Sequence, residues 1–189
     1  MRITALLLVI ALVFCMAPCV LTAEEQIRFD FEGDAQGWKI PDWAFYQDDH
    51  KGISTEVSDE EASTGEHSLK VMCDYPGVLW AAVLVEREKD TDLTGYESIS
   101  VDVYIPKGAP SMFFGRIILT VGDGWWFNQQ RKEVPLKVGE WTTIEAKMDS
   151  AELSDMESPW RGRKERRLYR NADKIKKIAV RVEYNAAPP

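Results

Sequence analysis

Residues 120–130 read TVGDGWWFNQQ. Two adjacent tryptophans, Trp125 and Trp126, follow a Gly-Asp-Gly turn and precede Phe127, Asn128, Gln129 and Gln130. Flat aromatic rings beside amides are the materials for stacking on the C–H face of a sugar ring while bonding its hydroxyl rim. In a regular strand, neighbouring side chains point to opposite faces. One tryptophan is therefore expected to pack in a core and the other to face outward. Arg116, on the preceding apolar run, offers a planar donor fork. Trp80 lies within VLWAAVLVE (78–86), with Glu86 on the same face by parity. Trp43 lies in IPDWAFYQDD (40–49), beside Asp42 and Tyr46. Trp38 and Trp141 are expected to pack. The candidates for contact with carbohydrate are thus Trp125, Trp126, Trp80, Trp43, Arg116, Gln129, Asp42 and Glu86.

Other chemistries find less support. The two histidines, His50 and His67, fall in turn-like stretches, and neither H-E-x-x-H nor G-x-S-x-G occurs. Asp42, Asp48, Asp49, Glu86 and Glu145 could supply a glycosidase pair, but no spacing singles one out. A glycan-active hydrolase or lyase therefore ranks below non-catalytic binding. Cys73 alternates with Leu69 and Val71 in SLKVMCD and is expected to be a buried strand residue rather than a nucleophile. The net charge is −8, which disfavours a nucleic-acid partner. The basic run RGRKERRLYR (161–170) is broken by Glu165 and reads as a solvated loop or helix start.

The elements that must carry these residues are strands. The chain opens MRITALLLVIALVFCMAPCVLTA, with a basic residue, an apolar run and a small-residue end. This is expected to be a signal peptide over residues 1–23, making the protein secreted or extracytoplasmic. The run is too short for a confident membrane span, so no membrane association is expected after its removal. Residues 24–189 suffice for one domain with its own core. Cys15 and Cys19 would leave with the leader, so no internal disulfide is expected. IRFDFEG (27–33), SLKVMCD (68–74), SISVDVYIP (98–106), WTTIEAKM (141–148) and KIAVRVEY (177–184) alternate with period two. VLWAAVLVE and FFGRIILTV (113–121) are apolar on both faces and read as central strands. NADKIKKI (171–178) reads as a short helical turn capped by Asn171. Many short strands between Gly- and Pro-containing turns predict an all-β, antiparallel β-sandwich of jelly-roll type.

Four phrases carry a resemblance. RFDFEGDAQGWKIPDW (28–43), STGEHSLKV (63–71), DLTGYESISVDVYIP (92–106) and VPLKVGEWTTIEAKMD (134–149) occur in the order found in β-jelly-roll carbohydrate-binding modules. The chain resembles those of the galactose-binding-like superfamily associated with mannanases and β-glucanases. The resemblance implies non-catalytic binding of a polysaccharide of β-glucan or mannan type, by a monomer or by part of a larger chain. It also implies a structural calcium held by Glu32, with Asp30 second, since hard oxygen ligands suit that ion. The modules end on a further strand that pairs beside the first, and RVEYNAAPP (181–189) stops where that strand would begin. The reading from a different class is a structural or protein-interaction sandwich without a sugar site.

Overall fold

The computed structural model describes residues 26–75, 79–148, 152–155 and 171–186. The expected signal peptide, residues 1–23, and the basic run 161–170 lie outside the described residues. In chain order the strands are β1 (Trp38–Lys39), β2 (Gly52–Ser58), β3 (Ser68–Cys73), β4 (Leu79–Thr91), β5 (Ser98–Tyr104), β6 (Phe113–Val121), β7 (Trp126–Gln130), β8 (Val134–Leu136), β9 (Trp141–Lys147), β10 (Leu153–Asp155) and β11 (Ile175–Ala186). A 3-10 helix occupies Asp42–Tyr46. The larger sheet runs β1-β4-β11-β6-β7-β10, with β8 also paired to β6. β2 pairs β3, and β5 pairs β9, in two further ladders. Every one of these strand pairings is antiparallel. The all-β reading holds, and the two runs that are apolar on both faces, β4 and β6, flank β11 at the middle of the large sheet.

Alternation explains the layering. From β6 the odd positions Phe113, Ile117, Leu119 and Val121 turn inward, joined by Ile178, Val180 and Tyr184 of β11. They meet Ile144 and Ala146 of β9, both fully buried. Burial of one such side chain contributes ~1.5–3 kcal/mol. The two layers approach most closely at Gly115, where an added Cβ would strike Ile144 and crowd Leu136. Gln130 ties them together by donating from Nε2 to the Glu145 carbonyl, 2.8 Å away.

Three local expectations are corrected. Residues 27–31 form no ladder, because Phe31 takes a left-handed φ of 60° that ends extended pairing. Phe29 and Phe31 instead lay their rings against the core from a loop. Residues 171–178 hold no helical turn. Lys174 donates its N–H to the Asn171 carbonyl (3.0 Å), closing a turn, and the strand begins at Ile175. Ile175 and Ile178 are three apart and both buried because the register shifts between Ile175 and Lys177. A bulge lets two inward residues stand at odd spacing, and that spacing mimics a helix. Cys73, expected to be buried, is exposed at the end of β3 opposite Gly52.

Candidate functional site

The large sheet turns its second face away from the core, and the register decides who stands on it. Trp80, Leu84 and Glu86 of β4 lie opposite Asn185, Arg181 and Ala179 of β11. Arg181 and Ala179 in turn lie opposite Arg116 and Ile118 of β6, and Ile118 lies opposite Gln129 of β7. Four of the sequence candidates, Trp80, Glu86, Arg116 and Gln129, therefore share this outward face. Beneath its centre lies a small buried apolar cluster of Leu84, Ile118 and Ala179 with Phe127 packed against it.

An aromatic row marks one end. The strand-like segment at His50 bridges to Ala82 beside β4. The His50 ring then meets Trp43 at 4.9 Å and Trp80 at 6.3 Å, both edge-on. His50 Nδ1 lies 2.9 Å from an Asp49 carboxylate oxygen, which fixes the ring. Trp43 and Trp80 remain 45% and 37% exposed. Asp42 sits beside Trp43 at the start of the 3-10 helix, open to solvent and 3.3 Å from Lys39 Nζ.

The tryptophan doublet marks the other end, though by a different device from simple alternation. Trp125 precedes β7 and sits in the turn with φ of 50°, its N–H donated to the Gly122 carbonyl at 3.1 Å. Its ring is 50% exposed and lies 5.8 Å from Lys177 Nζ. Trp126 begins the strand and turns its ring inward onto the core. Glycine at 122 and 124 is required there, since a Cβ at either would overlap the Trp126 indole. Trp126, the other sequence candidate of the doublet, is thus partly buried and packs against the core.

Between the two ends the charges are already paired. Arg116 donates from Nε to Glu183 (2.9 Å), from Nη1 to the carbonyls of Gln130 and Arg131 (3.1 Å each), and from Nη2 to Glu133. Arg116, a sequence candidate for orienting hydroxyls, thus has its fork engaged within the floor of the face. Arg181 donates to Glu183 (2.9 Å) and to Gln129 Oε1 (3.1 Å), and its guanidinium lies 6.0 Å from the Trp80 ring centre. Trp80 Nε1 donates to the second Glu183 oxygen at 3.1 Å, which fixes the indole plane. Burial pushes the Glu183 carboxyl up, but Trp80, Arg181 and Arg116 together hold it below the ordinary range. Lys177 donates to Glu86 and to Glu88 at 2.7 Å each. Burial pulls the Lys177 ammonium down, and the two carboxylates outweigh it. Glu86, a sequence candidate for orienting hydroxyls, is buried and paired with the lysine.

The network residues that sequence reasoning missed are His50, Lys177, Arg181 and Glu183. Alternation in KIAVRVEY does put the last three on one face. Their arrival between β4 and β6 is a matter of non-local pairing, which no local pattern carries.

The expected metal residues lie elsewhere. Glu32 Oε1 accepts the N–H groups of Glu66 (2.8 Å) and His67 (3.2 Å), and Oε2 lies 2.9 Å from His67 Nδ1. Asp30 Oδ1 accepts from Gln36 Nε2 at 3.1 Å. Calcium asks for about six to eight oxygen ligands. Glu32, Glu66 and His67 present two carboxylates and a ring nitrogen, with backbone N–H groups aimed at the first. As placed, both Glu32 oxygens are engaged by N–H donors and the His67 ring, and Asp30 is engaged by Gln36. The hydrogen bond from His67, followed by those from the Glu66 and His67 amides, lowers the Glu32 carboxyl, and Glu32 raises His67 in return.

The sequence matches no family model and no curated protein. Among solved structures it is similar to one from work on the promiscuous specificity of carbohydrate-binding modules of the β-sandwich superfamily. That likeness has a TM-score of 0.50 at 17% identity and covers 84% of this chain. The chain spans 55% of that protein's length. At this identity the likeness is one of fold: the chain is a β-sandwich whose structural neighbour is a carbohydrate-binding module.

Proposed function

We propose that the outward face of the large sheet binds polysaccharide, of β-glucan or mannan type, without cleaving it. The observation that carries this reading is the set of three exposed indoles, Trp43, Trp80 and Trp125, gathered on one sheet face. Exposed rings of this size lose hydration readily against the C–H face of a pyranose. The fold likeness supports the same reading. The absence of catalysis is part of the proposal. A general acid needs a carboxyl raised toward the working pH, whereas Glu183 is held low by its cations. Export is part of it too, resting on the leader-like residues 1–23.

Affinity electrophoresis of residues 24–189 through gels containing mannan, xyloglucan, mixed-linkage β-glucan or xylan tests the reading. At least one polymer should retard the protein, and Trp43→Ala should restore free migration. A folded protein that none of them retards would leave the structural-sandwich reading in its place.

A further inference from the structure

Resting on that reading, we infer that the face takes an uncharged, extended glycan long enough to engage two separate aromatic ends at once. The spacing comes from the register. Trp80 stands opposite Asn185 on β11, and Trp125 lies over Lys177 on the same strand. Eight residues separate Asn185 from Lys177 along β11, which at ~3.3 Å per residue is about 26 Å. A disaccharide cannot bridge that distance; a longer chain lying along β4 and β11 does.

The charge balance names the ligand class. Among the described residues, the cations of the floor, Arg116, Lys177 and Arg181, each face carboxylates: Glu133 and Glu183, Glu86 and Glu88, and Glu183 respectively. Asp42 and Asp49 add exposed negative charge at the Trp43 end. A uronate entering this face would find its cations already bonded and acidic groups beside it, which costs affinity. Neutral hydroxyls meet no such penalty. Leu84, Ile118 and Ala179 lie midway but are buried beneath the paired side chains, so the contacts open to a sugar chain are the aromatic rings at the two ends.

Two linked contacts on one chain reinforce each other, because the second forms at high effective concentration. Isothermal titration with cellobiose to cellohexaose, mannobiose to mannohexaose, and polygalacturonate tests this, with Trp43→Ala and Trp125→Ala alongside. Melting curves establish that the variants fold. One neutral hexasaccharide should bind more than about tenfold tighter than its disaccharide. Each tryptophan variant should separately bring the hexasaccharide down toward the disaccharide, and polygalacturonate should not bind. Equal affinity for short and long neutral chains would overturn the inference while keeping the sugar reading. So would loss on one tryptophan change with none on the other, or tighter binding of polygalacturonate. Failure of every glycan, neutral and acidic, would sink the sugar reading and this inference with it.

Discussion

Trp125 and Trp126 are neighbours in sequence with separate fates, and the cause is a backbone angle. The left-handed turn at Trp125 throws its ring outward, while Trp126 enters the strand and packs inward. Trp126→Ala should therefore cost stability, ~2–4 kcal/mol in a denaturant titration given the partly buried ring. Trp125→Ala should stay within ~0.5 kcal/mol of the parent while weakening glycan retention. If the two variants exchange these phenotypes, the assignment of the doublet is wrong. At Trp80 the indole N–H serves the buried Glu183 carboxylate. Trp80→Phe keeps a ring but removes that donor, and should cost ~1–3 kcal/mol in the same titration. Which of the doublet faces outward was not legible in the sequence. Parity says only that the two differ, and the φ at Trp125 depends on how the glycine turn closes over the Trp126 ring.

The strands themselves were largely legible, because a sheet with one face on a core imposes period two on its residues. SLKVMCD, SISVDVYIP and WTTIEAKM became β3, β5 and β9 for that reason. Misreadings fell where a local irregularity overrode the period. The bulge before Lys177 made IKKI look helical, and the positive φ of Phe31 took IRFDFEG out of any ladder. β10 escaped notice because three residues are too few to show alternation. Gly115 shows a different kind of information in the same strand pattern: it is a glycine in the middle of a central strand. It is there because Ile144 of the other layer fills the space a Cβ would take. Gly115→Ala should cost ~1–3 kcal/mol by overpacking, and the double variant with Ile144→Val should recover part of it. A neutral Gly115→Ala in thermal melts would mean that the layers separate more easily than the packing implies.

For the molecule as a whole, one exposed contact contributes a pH dependence that can be isolated by mutation. His67 is raised above its usual value near 6.5 by Glu32, and Glu32 is lowered below its usual value near 4.5. A raised histidine contributes fully below its unfolded value and loses that contribution as pH climbs through the folded one. A lowered carboxyl contributes above its unfolded value and loses it as pH falls through the folded one. The pair's full contribution thus lies between about pH 4.5 and 6.5, and the melting temperature of wild type should gain on His67→Gln within that window. Parallel melting profiles for the two proteins across the range would exclude the coupling. Addition of a chelator should leave the melting temperature unchanged, since Glu32 is engaged by N–H donors; a fall would restore the calcium expectation.

The position of β11 has a consequence in time. The last described strand in sequence is inserted at the centre of the sheet, between β4 and β6. While the ribosome is still making Ile175–Ala186, neither of those strands has its long partner, and the face bearing Trp80 and Arg116 does not exist. Pairing across such long stretches of chain is slow compared with local folding. A newly made chain therefore keeps β4 and β6 without their shared partner until Ile175–Ala186 has been made, and the last-formed strand sets when the face closes.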